Sequence, residues 1–510
     1  MGTFSNQPAF LRPTRMRYGV LGFACSLALL TYLDRICIMQ AKESIRLELG
    51  FSDKDMGLIF AAFIVGYLLL EVPGGWMGDR WGSRRVLTGI VLVWSLFTAL
   101  TGCVWAFTLD SGRQLHFGSL VIPLALNSLA MMLLIRFFFG LGEAGAFPNV
   151  TRVIRNWFPV DERAFALGLV WTFARLGGAL APLALSFLTV LFGWRQAFWM
   201  LGLGGVAWAV IFYLRFRDRP EEHPLCNDSE LALIRHASTP SESGDHEGLL
   251  LTSSRPSQQI TIQQEGVTTP EHASPSPQRF DMHGATERLA RDVGHTWPSW
   301  RVLAGSLTVW AVCAASFFIN FGWYFYATWQ PKYWQEVHNI GYADSTWLTG
   351  APFVCGAVGT LLGGLGSDLM LRGGISRRWS RALIGITGYV LAGLCMLATG
   401  FTTTVWQAET LLCLAFLVND LTVPIIWAVC TDVGGRSAGA LSGLMNMVGG
   451  FGAVISPALL PHAHELLHAH FDHRLCWRII FAGLASSWFL GALTWFFIDA
   501  GKPLASDTHG

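Results

Sequence analysis

Charge is what this sequence is short of. Only 14% of its 510 residues are Asp, Glu, Lys or Arg, against about 25% in a typical soluble chain. With 52% apolar residues, the chain has too little polar surface to cover itself in water, which excludes a soluble enzyme. It also lacks an excess of either sign: 35 basic and 34 acidic side chains leave a net charge of +1, so nothing marks it as a nucleic-acid binder. Its ten cysteines form no CxxC pair, so neither a disulfide framework nor a cysteine zinc site is indicated. Abundant instead are Gly (55) and Trp (22), as in a polytopic membrane protein with Trp at the interfaces and Gly where helices cross closely.

Apolar runs long enough to cross a bilayer recur twelve times: 18–40, 57–77, 86–107, 122–147, 163–189, 196–214, 302–327, 345–367, 380–400, 406–431, 437–460 and 478–498. The first follows Arg12, Arg15 and Arg17 and imitates a signal peptide, but Asp34 and Arg35 interrupt it and no small-residue cleavage site follows. With the N-terminus inside, the short inner loops hold 15 Lys and Arg and the outer loops 8, so both termini are expected in the cytoplasm. Residues 216–299, rich in Ser, Thr, Pro, Gln and Glu, have too few large apolar side chains for a core and read as a disordered cytoplasmic linker. The domains are then 1–215, a six-helix bundle, the linker 216–299, and 300–510, a second six-helix bundle.

The two bundles are copies. "GGWMGDRWGSRR" follows span 2 and "GGLGSDLMLRGGISRR" follows span 8, placing Asp79 and Asp368 in matching positions. "GWR" at 193–195 precedes span 6 and "CWR" at 476–478 precedes span 12. The fold class is therefore all-α: twelve transmembrane helices in two six-helix parallel repeats.

The loop Gly75-Trp-Met-Gly-Asp79-Arg80-Trp-Gly82-Ser-Arg84-Arg85 resembles the major facilitator signature G-x-L-A-D-R-x-G-R-K/R, with Met77 and Ser83 as departures. Gly75, Asp79, Arg80, Gly82, Arg84 and, in the second copy, Asp368 are its gate residues. The glycines permit a tight turn and close helix approach, and the acid can cap a helix start. Longer stretches are more specific: "TYLDR" (31–35), "GYLLLEVPGGWMGDRWG" (66–82), "RFFFGLGEAGAFPNVTRVIRNWFP" (136–159), "ARLGGALAPL" (174–183), "FGWYFYATWQPKY" (321–333), "NDLTVPIIWAVCTDVGG" (419–435) and "SGLMNMVGGFGAVISP" (442–457). They are similar to the anion:cation symporter family, which includes sialin, the vesicular glutamate transporters and bacterial hexuronate, galactonate and glucarate transporters. The likeness covers nearly everything except the termini and 216–299.

Asp34 and Arg35 lie deep in span 1, and Arg136 and Glu143 in span 4. Four charges at bilayer depth cost about 10–14 kcal/mol on insertion scales, so they must face water or one another. Arg136 and Glu143 are seven residues, or about 10.5 Å of helix, apart and cannot pair directly. Asp34 and Arg35 are then their partners across the cavity. The set reads as an anion site coupled to protons, with Arg35 gripping a carboxylate. Because Asp34 adjoins Arg35 in sequence, Glu143 is the expected proton carrier and Asp34 the second, with Arg136 beside them. The resemblance implies the same: acids matching Asp34 and Glu143 couple protons in that family, and an arginine matching Arg35 binds substrate. It also implies substrate contact for Tyr32, Tyr67 and Asn446. Asn320, Tyr324, Asp420, Thr422 and Trp427 are candidates for substrate hydroxyls. Arg175 is either a second carboxylate anchor or a cation satisfied by nearby carbonyls. Glu71 is ambiguous too: where members of that family often carry Gln or Leu, one reading is that it simply braces the inner gate.

Two motifs are set aside. His464-Glu-Leu-Leu-His468 matches the zinc-protease HExxH helix, but a short outer loop has no room for a peptide cleft. Gly435-Arg-Ser-Ala-Gly439 matches GxSxG without the strand-turn-helix that elbow needs. No Walker motif is present, which favours gradient-driven transport over an ATP pump. The sequons at Asn149 and Asn227 both fall inside, which favours a bacterial membrane. The expectation is a multi-pass monomer in the cell's inner membrane. It is not an enzyme, has no cofactor or metal, and has no nucleic-acid partner. It moves a small organic anion, a hexuronate, aldonate or aldarate, with protons. Sodium coupling or exchange is the alternative, and a non-transporting anion receptor or a membrane protease is a lesser one.

Overall fold

The structure is a computed structural model and describes residues 12–117, 120–236, 300–341 and 345–504. Among the described residues, twelve helices are long and apolar enough to span a bilayer: Met16–Met39, Lys54–Trp81, Ser83–Thr101, Ser128–Trp157, Val160–Phe192, Trp194–Arg215, Leu307–Tyr326, Trp347–Arg372, Arg377–Thr399, Val405–Val433, Ala438–His468 and His473–Phe497. They are spans 1–12 below.

Two edges differ from the sequence reading. Span 3 ends at Thr101 rather than 107, where Gly102 caps it. Span 4 begins at Ser128 rather than 122, with Asn127 accepting the Ala130 N–H as its cap. The apolar run before it belongs to an antiparallel hairpin, β1 (Thr108–Phe117) and β2 (Leu120–Asn127). Hydropathy alone does not separate the two, since "LVIPLALN" suits a strand and a helix equally. This hairpin is the one departure from an all-helical chain among the described residues.

The contacts show the duplication directly. Span 1 lies along span 5, span 2 along span 4, and span 3 along span 6. In the second half span 7 lies along span 11, span 8 along span 10, and span 9 along span 12. The halves meet through two equivalent seams, span 2 on span 11 and span 5 on span 8. Glycines make both seams: a Cβ at Gly75 or Gly443 would strike the opposite backbone of the first, and one at Gly168 or Gly364 that of the second. The "GWR" and "CWR" landmarks also have matching roles. Trp194 Nε1 donates to Glu48 at 2.6 Å and Trp477 Nε1 to Glu336 at 2.9 Å. Each bond ties the start of a half's last span to a short helix that follows its first.

Spans 4 and 10, the same position in each half, are both broken. Span 4 stops at Glu143 and resumes at Ala146, with Gly145 at φ +81° between. Span 10 stops at Asp420 and resumes at Val423, with Pro424 in the new first turn. An acid therefore closes the first segment of each.

The linker reading needs correction at its start. Residues 216–236 are folded: a 3₁₀ turn at Pro220–Glu222 leads to a helix at Asp228–His236. Glu230, fully buried, accepts from the backbone N–H of Met16 and Arg17, both at 3.2 Å, and from Thr14 Oγ1 at 2.6 Å. It caps the start of span 1, whose own N-cap residue, Arg15, makes no side-chain capping bond. The rest of the expected linker, 237–299, lies outside the described residues.

Candidate functional site

Adjacent helix residues point about 100° apart, so Arg35 does not lie over Asp34. Its Nε lies 2.5 Å from Glu143 Oε1 across the gap between spans 1 and 4. Asp34 instead neighbours Arg136, Glu143 and the Trp94 indole. The sequence argument that Glu143 is the acid without a close arginine is thus reversed: Glu143 holds the direct pair. Glu143 is 1% exposed, whereas the Arg35 side chain is 20% exposed. Arg35 keeps Nη2, and Glu143 keeps Oε2, without a hydrogen-bond partner among the described residues. The Arg35 guanidinium lies over Tyr67 at 4.4 Å and Tyr32 at 5.5 Å. Arg136 is buried with its guanidinium 4.2 Å above Phe139. The charged set is therefore walled by aromatic faces, which attract cations without neutralising them.

Arg175 and Asp420 are partners. Arg175 Nε lies 2.7 Å from Asp420 Oδ2 and Nη2 3.2 Å from Oδ1, a two-pronged bridge between span 5 and span 10 and so between the halves. Asn419 Nδ2 also donates to Asp420, at 3.0 Å. Asp420 is not free to serve hydroxyls in this state, and Arg175 is not satisfied by carbonyls. Tyr324 faces Arg35, Arg175 and Tyr32 from span 7. Asn446 on span 11 donates to Tyr67 Oη at 3.0 Å and Glu71 Oε1 at 2.6 Å on span 2. Asn320 binds the Ser316 carbonyl at 2.8 Å and stands against Gly449. Tyr32, Arg35, Tyr67, Asn320, Tyr324 and Asn446 all remain partly exposed. Trp427 is buried on the Trp171 and Phe147 rings at 5.5 and 6.0 Å. Thr422 is placed elsewhere: its hydroxyl donates to the Asn419 carbonyl at 2.7 Å, and its methyl meets Gly388 of span 9.

Sequence reasoning passed over Phe147 and Trp171, which stack at 4.6 Å beneath Tyr32. The available signal was the four-residue spacing of Trp171 and Arg175, which puts both on one helix face. It left Glu71 open; the structure buries that carboxylate in the seam, bonded through Oε1 to Asn446, with no hydrogen-bond partner for Oε2 among the described residues.

The gate residues gather at the end of the bundle that carries both described chain ends. Asp79 accepts the N–H of Gly439 at 3.2 Å and Ala440 at 2.9 Å, at the start of span 11. Asp368 accepts the N–H of Phe165 at 2.7 Å, at the start of span 5. Each repeat's acid thus caps a helix of the other half, where the positive helix end favours it. Arg152 lies 3.5 Å from Asp79, and Arg381 bridges Asp368 at 3.0 Å and Asp432 at 3.2 Å. Arg372 reaches across to Asp161 and Glu162 at 3.1 and 3.4 Å. Arg84 donates to the Tyr213 carbonyl, Gly82 turns at φ +87° against Asp218, and Arg80 covers Trp76. Every cross-half bond named here lies between mid-depth and this end, so the clamp is closed there.

The histidine motif lies at the end of span 11. His464 Nε2 is 2.7 Å from Glu336 Oε2, and His468 meets His473 at 3.2 Å. No cluster placed to hold a metal was found among the described residues. Residues 435–437 form a 3₁₀ turn between spans 10 and 11, not an elbow after a strand.

Residues 24–457 match the family model described as the Major Facilitator Superfamily. The chain belongs to this superfamily. This facilitator is a multi-pass membrane transporter and not an enzyme. It is 28% identical over 451 residues to the probable sulfoacetate transporter SauU of Cupriavidus necator, covering 88% of each chain. It is 26% identical to the probable galactarate/D-glucarate transporter GudP of Bacillus subtilis, covering 88% of this chain and 86% of that one. It is 27% identical to GarP of Escherichia coli K12, a probable transporter of the same two acids, covering 89% of each. These relatives agree with the anion:cation symporter resemblance. Among solved structures, the proton:xylose symporter XylE shares the fold, with a TM-score of 0.65 and 13% identity over 96% of this chain and 97% of that one.

Proposed function

We propose that this facilitator carries a sugar acid, a hexuronate, aldonate or aldarate, together with protons, by alternating access. The observation that carries the reading is the Arg35–Glu143 pair: a solvent-touched arginine held by a buried acid at a helix break. A substrate carboxylate arriving at Arg35 competes with Glu143 for the guanidinium. Once Arg35 is taken, Glu143 is a buried carboxylate that has lost its hydrogen-bonded cation and keeps only the more distant Arg136, which Asp34 shares, and such a group takes up a proton. Anion and proton therefore favour each other's binding, which is the linkage symport requires. Asp34 beside Arg136 is the second acid of the relay. The acids for which these relatives are named, galactarate, glucarate and sulfoacetate, support an anionic cargo.

In the orientation that the loop charges favour, both termini are cytoplasmic, in the cell's inner membrane, and the carrier works as a monomer. The closed clamp is then the inner gate, and the partly exposed aromatics face outward. Rocking about the two glycine seams exchanges which side is open. The test is uptake of labelled sugar acids into proteoliposomes under an imposed pH gradient. Accumulation should follow the gradient, collapse with a protonophore, and not need sodium. Arg35→Ala should abolish binding and Arg35→Lys should restore it poorly, because an ammonium lacks the planar fork. Uptake of a neutral sugar that survives Arg35→Ala would overturn the reading; accumulation driven by sodium alone would replace the proton.

A further inference from the structure

Each half contains one broken span, and at each break stands an acid bonded to an arginine. At the first break Glu143 holds Arg35; at the second Asp420 holds Arg175. The first pair is internal to its half, whereas the second crosses between halves. Interrupted helices in corresponding positions of two repeats mark where a transporter binds its cargo. Both guanidiniums belong to the first half and flank one side chain, Tyr32, with Tyr324 facing the group from the second half.

Resting on the anion-transport reading above, we propose that Arg175 is a second anion subsite, occupied in the empty carrier by Asp420, and that the preferred cargo is a dianion with an acidic group at each end. The carboxylate of Asp420 already shows what Arg175 accepts: a planar, two-pronged ligand with contacts of 2.7 and 3.2 Å. That is the geometry a guanidinium offers any carboxylate. The second prong of the cargo replaces Asp420 on Arg175 as the first replaces Glu143 on Arg35. Asp420 keeps the bond it already has from Asn419. The aromatic walls suit this exchange. Arg175 lies 5.2 Å from the Trp323 ring and 5.8 Å from the Trp171 ring, so its cation stays stabilised while the anion changes. In the empty carrier the bridge also joins span 5 to span 10, so the resident acid stands in for cargo while the halves return.

The inference is read from selectivity between matched six-carbon acids. D-glucarate carries two carboxylates, and D-gluconate and D-glucuronate carry one each. Binding to purified full-length protein is followed by calorimetry. Wild type should bind glucarate at least about tenfold more tightly than either monoanion, the difference one charge-assisted contact supplies. The double variant Arg175→Gln/Asp420→Asn leaves neither a lone cation nor a lone anion, and it should bring the ratio to about one. Asp420→Asn alone unmasks Arg175 and should tighten glucarate binding further. Equal affinity for gluconate and glucarate in wild type overturns this inference and leaves the transport reading standing. So does a glucarate preference that persists in the double variant, or weaker glucarate binding in Asp420→Asn. If none of the three acids binds folded wild type, the sugar-acid reading and this inference both fail.

Discussion

Asp79 and Asp368 hold the starts of helices from opposite halves, so the strength of the closed clamp can be probed one carboxylate at a time. Asp79→Asn keeps the size of the side chain and one acceptor oxygen but removes the charge. Gly439 donates to Oδ1 and Ala440 to Oδ2. Hydrogen bonds to a charged acceptor contribute about 1.5–3 kcal/mol and neutral ones about 0.5–1.5 kcal/mol, so the amide weakens one of the two bonds by about 1 kcal/mol and loses the other, about 1.5–3 kcal/mol. Interaction with the helix start adds about 0.3–1 kcal/mol. The sum, about 3–5 kcal/mol, shifts the opening equilibrium by about 150- to 5,000-fold. Hydrogen exchange read by mass spectrometry reports this directly, because the bonded groups are themselves backbone amides. Peptides covering 438–445 should exchange faster by roughly that factor, while those at the start of span 4, near Ser128, should not change. Asp368→Asn should do the same at 163–168, through Phe165. Unchanged exchange at 438–445 in Asp79→Asn would mean that the carboxylates do not hold the gate shut.

Three further outcomes follow from the surroundings of the bundle. Deleting 245–290 leaves about 17 residues between 236 and 300, a length for which a Gly/Ser-type linker would reach about 20–25 Å, and transport should persist; a folded, inserted deletion variant without transport would refute this, whereas Glu230→Gln should lower the melting temperature by uncapping span 1. Glu336 lies between spans, where burial opposes its charge but hydrogen bonds from Trp477 and His464 and the nearby Lys332 hold its carboxyl below the ordinary 4.5. A lowered acid contributes stability that is complete above its ordinary value and is lost as pH falls through the lowered one, so the melting temperature should drop below about pH 4.5, and Glu336→Gln should flatten that drop.

Much of this architecture is legible in one dimension, because lipid forces each crossing to be a long apolar run and duplication repeats its landmarks. Asp79 with Asp368 and Trp194 with Trp477 were visible as spaced pairs before their bonds were. Hydropathy failed where it carries no shape: the run 120–127 is as apolar as a helix yet forms a strand. Partner choice was the other blind spot. Arg35 follows Asp34 in the chain but turns to Glu143, 108 residues away, and Arg175 meets Asp420 across 245 residues. Sequence gives the types and depths of such charges, whereas their pairing depends on which helices touch. The breaks at Gly145 and before Pro424 had local signals in a glycine and a proline, but 122–147 and 406–431 read in sequence as continuous spans, and sequence reasoning passed over both breaks.

The central claim, that Glu143 carries the proton linked to the anion on Arg35, is tested most directly by Glu143→Gln in proteoliposomes. Glutamine imitates the protonated acid and leaves Arg35 open to substrate. The variant should still bind sugar acid, with an affinity less dependent on pH than wild type, and should exchange labelled for unlabelled substrate across the membrane. Accumulation on an inward proton gradient should vanish, because the empty carrier has no ionised Glu143 to re-pair with Arg35 on its return. If Glu143→Gln accumulates substrate on a proton gradient as wild type does, Glu143 is not the carrier, and Asp34 or another ion drives the cycle.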